Sequence, residues 1–143
     1  MKNIRIAMSG ALLTIGLGIG AGASAQTTGL SAAPSPLGLS ATGGSLSSAY
    51  ITITNHGPGF ASNLAVVIPP PFGPGHGGLT STADTCTGAT LAQGGTCTVR
   101  LQYEAPCYIR AGFQDVWYVD VTSTQFPALS EKVTGTNLTK GCA

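Results

Sequence analysis

The stretch Thr96-Cys97-Thr98-Val99-Arg100-Leu101-Gln102-Tyr103 alternates strictly. Cys97, Val99, Leu101 and Tyr103 fall on one side and Thr98, Arg100 and Gln102 on the other, the period of two that marks a half-buried β-strand. Working outward, Asp115–Thr122 repeats the pattern, with Trp117, Val119 and Val121 on the face taken as core. Ser48–Thr54 places Ala49, Ile51 and Ile53 on one face, and Asn55-His56-Gly57-Pro58-Gly59 then stops it with turn residues. Asn63–Ile68 is nearly all apolar and reads as a buried strand, ended by Pro69-Pro70-Pro71 because proline cannot donate to a ladder. Strand signals also cover Leu37–Ala41, Leu79–Ala83, and Leu129–Val133 with the following Gly135-Thr136-Asn137. Residues 69–78 (PPPFGPGHGG) read as a long surface loop.

About seven strands without a convincing 3.6-residue period is the count expected of an all-β, two-sheet sandwich. Composition agrees. The chain has 21 Gly and 9 Pro in 143 residues, which argues against long helices. Charged residues make up 8% of it, against roughly 25% in ordinary domains. The length allows one domain of usual size.

The amino terminus reads as an export signal over residues 1–25: Lys2 and Arg5, an apolar run from Ile6 to Gly20, and Ala23-Ser24-Ala25 as the small-x-small cleavage pattern before Gln26. The apolar run is shorter than the roughly 20 residues a spanning helix needs, so no stable membrane insertion is expected. Residues 26–36 are Gln, Thr, Ser, Ala, Pro and Gly with one Leu, a composition suited to a flexible or extended lead-in, and 37–143 forms the domain. Without the signal, Arg100, Arg110, Lys132 and Lys140 face five acidic residues, a net charge of −1. Four scattered cations make no nucleic-acid footprint.

Cys86, Cys97, Cys107 and Cys142 are an even set in an exported chain, which implies disulfides. Three pairings are open at this point. No C-x-x-C occurs, so neither a redox motif nor a zinc knuckle is indicated.

Candidates for chemistry are few. His56 and His76 each lie in a Gly/Pro loop and could hold a metal with Asp84 if those loops met, but no H-x-x-x-H or H-x-H spacing supports it. Two exposed loop histidines is the simpler reading. Glu104 and Glu131 read as isolated carboxylates on surface strands. Trp117 with Tyr118 could stack on a sugar, although Trp117 reads better as the aromatic centre of the core. Asn137-Leu138-Thr139 fits a glycosylation sequon. No catalytic residue, metal site or cofactor is assigned.

Several residues together resemble one family. Tyr50-Ile51-Thr52-Ile53-Thr54-Asn55-His56-Gly57 is similar to the x-V-T-V-T-N-x-G strand and turn of bacterial extracytoplasmic immunoglobulin-like domains. Asp84 to Val99 (DTCTGATLAQGGTCTV) resembles their D-x-C-x-G-x-x-L-x-x-G-x-x-C-x-V hairpin, and Leu101, Tyr103 and Pro106 match the V-x-F-x-P that follows. The class is that of hydin and abnormal-spindle (ASH) domains, as found in choice-of-anchor modules, and the similarity runs from about Leu37 to Leu138. The resemblance implies a seven-stranded immunoglobulin-like sandwich, a Cys86–Cys97 bond, no catalysis and no cofactor. Cys107 would then bond to Cys142 by elimination, a pair the family pattern lacks. The expected function is an exported, non-enzymatic module for protein binding or cell-envelope structure, in the periplasm or at the cell surface, with self-association possible. An alternative is a surface-appendage subunit assembling by strand addition through residues 26–36. A loop-end metal hydrolase using His56 and His76 comes third.

Overall fold

The structure, a computed structural model, describes residues 29–107 and 110–142. The export signal read in residues 1–25 and the first three residues of the lead-in lie outside the described residues.

Among the described residues eight strands follow one another: β1 (Leu30–Ala33), β2 (Leu37–Ala41), β3 (Leu46–Asn55), β4 (Ala65–Val67), β5 (Gly78–Asp84), β6 (Thr96–Glu104), β7 (Gln114–Thr122) and β8 (Leu129–Asn137). They form two four-stranded sheets, ordered β1-β3-β6-β5 and β2-β8-β7-β4. All neighbours are antiparallel except β2 and β8, which run parallel.

The period-two alternation explains the packing. In β6, Cys97, Val99, Leu101 and Tyr103 are all buried. They stand opposite Ile53, Ile51, Ala49 and Ser47 of β3 in the ladder. From the other sheet Trp117, Val119 and Val121 of β7 and Val133 of β8 meet this face, each at most 1% exposed. The Tyr103 and Trp117 rings touch edge to face, centroids 5.7 Å apart, the favoured geometry for an aromatic pair.

Both disulfides form. Cys86–Cys97 ties the segment after β5 to the first turn of β6, and Cys107–Cys142 ties the exit of β6 to the segment after β8.

Three expectations need correction. The lead-in at 26–36, read as a flexible or extended segment ahead of the domain, contributes to the sandwich itself: Leu30–Ala33 pair with Thr52–Asn55 as an eighth strand among the described residues. Its single leucine, Leu30, is buried and anchors a short strand on an edge that β3 already presents, a contact that composition averaged over the segment hides. The expected buried strand at Asn63–Ile68 shrinks to three half-exposed residues at a sheet edge. Asn63 has a left-handed backbone (φ 53°) and only Leu64 of the segment is fully buried, so an apolar run here signals an edge trimmed by the prolines that follow. Finally, Glu131 is not a surface carboxylate. It shares the inward face of β8 with Val133 and Asn137 and is 2% exposed.

Candidate functional site

The metal reading for His56, His76 and Asp84 required their loops to meet. Strand register separates them. Thr54, two residues before His56, pairs with Thr96 at the start of β6, whereas Gly78, two residues after His76, pairs with Glu104 at its end. Eight residue steps of strand span about 26 Å. Among the described residues no three His, Cys, Asp or Glu side chains gather as a metal ion would need.

Each of the three is engaged locally. The Nε2 of His56 lies 2.8 Å from the Ser31 hydroxyl of β1. Asp84 closes the turn after β5: its Oδ1 accepts from the backbone N–H of Cys86 and Thr87, and its Oδ2 accepts from the Thr87 hydroxyl. Partial burial works against its charge, but the hydrogen bonds from Thr87 and Cys86 outweigh it and hold the carboxyl below the usual range for Asp.

His76 has the more developed surroundings. Its Nδ1 lies 2.7 Å from Oδ1 of Asp115, a side chain 1% exposed, while Oδ2 of Asp115 accepts from the Gly77 N–H at 2.8 Å. Because a carboxylate only accepts, Nδ1 carries the proton and the free ring atom is Nε2. Phe72 and Phe113 flank the imidazole with centroids 5.6 and 5.7 Å away, and Phe72 also stacks near Trp117 at 6.0 Å. Gly77 allows this docking: a Cβ there would strike the Tyr103 ring and come within 2.7 Å of the Glu104 carbonyl oxygen. Burial, with the Asp115 carboxylate adding to it, pushes the Tyr103 phenol up to about 12.

Asp115 escaped the sequence reading, yet its signal was present. It falls on the Trp117 face of β7, and an acid at a core position must find donors.

Between the 69–78 loop and the segment leaving β6 lies an open cleft of about 440 Å³, lined by Pro71, Pro74, His76, Glu104, Pro106 and Cys107 among others. Glu104 is exposed there, as expected. Trp117 is core and Tyr118 points out, 57% exposed, so the two do not make one stacking platform. The sequon residue Asn137 is fully buried, its Nδ2 donating to the carbonyl of Pro106. Tyr103 Oη, Trp117 Nε1 and Glu131 Oε1 are buried without a hydrogen-bond partner among the described residues.

No protein-family model matches the chain, and no curated protein is significantly similar to it. Solved structures do match. The ASH/PapD-like domain 7 of human CEP192 aligns over 95% of this chain and 99% of its own, at 12% identity and a TM-score of 0.52. The secreted serine protease VesC from Vibrio cholerae aligns over 78% of this chain and 24% of its own, at 21% identity and 0.54. A family 123 glycoside hydrolase from Clostridium perfringens aligns over 80% and 28%, at 9% identity and 0.56. At these identities the likeness concerns the fold. The chain has a two-sheet immunoglobulin-like sandwich, the fold it shares with these structures, and it spans about a quarter of the length of the two enzymes.

Proposed function

We propose that this protein is an exported, non-enzymatic immunoglobulin-like module that acts by binding a protein or cell-surface partner. The observation that carries the reading is where the polar chemistry goes. His56, His76 and Asp84 each serve the scaffold, bonding to Ser31, Asp115 and the Thr87 turn. Of the other reactive-looking groups, Glu131 and Trp117 are sealed in the core, and Glu104 stands exposed at the end of β6. Two disulfides hold a sandwich whose chain is only 8% charged, a construction that belongs to an oxidising compartment. What such a body offers the outside is a surface for contact.

Cell fractionation with non-reducing mass spectrometry, followed by capture of partners from envelope extract with the oxidised protein, tests this. The expected result is a mature chain starting at Gln26, both cross-links intact, outside the cytoplasm, holding a saturable partner. A reduced, uncleaved protein in the cytoplasm overturns export. Turnover of a peptide, ester or glycoside that survives rigorous purification overturns the non-enzymatic assignment.

A further inference from the structure

We propose that the cleft between the 69–78 loop and the exit of β6 is a socket for an arginine side chain of the partner. This rests on the binding reading above and specifies its chemistry.

The cleft is about 440 Å³ and its lining includes one formally charged residue, Glu104. Its second polar group is the imidazole of His76. The contact between Nδ1 and Asp115 leaves Nε2 as the ring nitrogen facing outward, which in the neutral tautomer is an acceptor, and the flanking Phe72 and Phe113 rings hold that orientation. Neither the Glu104 carboxylate nor His76 Nε2 has a hydrogen-bond partner among the described residues. The adjoining backbone acceptors are already used: Ala105 O by the Gly44 N–H and Pro106 O by Asn137 Nδ2. The site therefore combines acceptors and a negatively charged residue with a border of Pro71, Pro74 and Pro106.

A ligand that satisfies it must be cationic, rich in donors and flat enough to lie against rings. A guanidinium has all three properties, with five N–H donors in one plane that can serve a carboxylate and a second acceptor together. An ammonium is a strongly hydrated point charge and matches the flat walls less well. A zinc ion wants four ligands, and two donors fall short of that.

The probe is Nα-acetyl-arginine N-methylamide, titrated into the oxidised protein and followed by two-dimensional amide NMR. Its neutral isostere, the citrulline derivative, and the lysine derivative serve as controls. Saturable shifts centred on His76, Gly78 and Glu104 are expected, with citrulline bound at least about tenfold more weakly, because charge-assisted pairing is lost. Glu104→Gln, an exposed change at a strand end, should reduce arginine affinity about tenfold while leaving the fold and its melting temperature unchanged. His76→Gln should weaken binding as well. Equal shifts with citrulline, an unaffected Glu104→Gln protein, or zinc binding in place of arginine would overturn the socket. If arginine fails but a partner is still captured from envelope extract, the socket is wrong and the binding function stands. If arginine binds and the pure protein turns over a substrate, the socket stands and the non-enzymatic reading falls.

Discussion

The two disulfides should rank differently depending on how they are removed. Cys86 and Cys97 are 11 residues apart and Cys107 and Cys142 are 35 apart. Loop-closure entropy alone assigns about 3 kcal/mol to the shorter and about 4 kcal/mol to the longer. Packing reverses that order when the sulfurs are deleted. Cys86 is fully buried and Cys97 is 6% exposed, so trimming each to alanine costs about 1 kcal/mol more in lost burial. Cys107 is half-buried and Cys142 exposed, so their trimming adds little. Cys86→Ala with Cys97→Ala should therefore cost about 5 kcal/mol, and Cys107→Ala with Cys142→Ala about 4 kcal/mol. Reduction of the one remaining bridge in each double variant leaves its thiols in place and isolates the entropy: about 3 kcal/mol for Cys86–Cys97 and about 4 for Cys107–Cys142. Guanidinium unfolding followed by the fluorescence of the single tryptophan, Trp117, reads each stability directly, and a kilocalorie should appear as about 4 °C in melting temperature. The crossing of the two rankings is the signature. If the hairpin bridge is the costlier one under both treatments, the loop-entropy account fails.

Other consequences are simpler to state. Asp84 has a lowered carboxyl pKa in the folded protein, so its contribution is present above the unfolded value near 4 and is lost as pH falls through the folded one. Asp84→Ala should flatten the acid limb of a stability–pH curve, and an unchanged limb would refute the turn-closing role. Tyr103 behaves in the opposite sense: with its phenol raised to about 12, stability should fall between about pH 10 and that value as the unfolded chain ionises first. Tyrosinate absorbance should lose a late-titrating component in Tyr103→Phe. Glu131, buried with an unpartnered Oε1, should be a net cost to the fold, and Glu131→Leu should raise stability by at least about 1 kcal/mol in urea titration. A loss instead would mean that the carboxyl has an undetected partner.

Which parts of the molecule were legible depends on how local their physics is. Cys97, Val99, Leu101 and Tyr103 announce the core because alternation is a property of one strand, and β2 and β6 lie where the pattern puts them. The strand at Asn63–Ile68 misled because an apolar run does not say whether neighbours cover it from both sides. Here β4 borders only β7, and half its surface stays open. Glu131 and Asp115 were legible by position on the faces of Val133 and Trp117, but composition discounts a carboxylate from any core. Only the tertiary structure shows that one finds His76 and Gly77 while Oε1 of the other is left without a partner among the described residues. The His76 site was unreadable for a topological reason: its loop and Asp115 are 39 residues apart and belong to different sheets.

The strand-addition alternative makes a claim of definite sign. It assigns residues 26–36 to a neighbouring copy, so that deleting them should abolish polymers. In the structure Leu30–Ala33 already complete their own sheet, pairing with Thr52–Asn55 while Leu30 fills the core. A strand tethered through Pro34-Ser35-Pro36 competes for that edge at an effective concentration on the order of millimolar, so a foreign copy at micromolar concentration loses. Deletion of residues 26–36 would then uncover the upper edge of β3 and leave an apolar gap where Leu30 sat, the combination that invites edge-to-edge association. The truncated protein should associate more than the intact one in sedimentation velocity. Adding a synthetic peptide of residues 26–36 should return it to monomer. Polymers in the intact protein that disappear on truncation would reverse the sign and make β1 a donated strand.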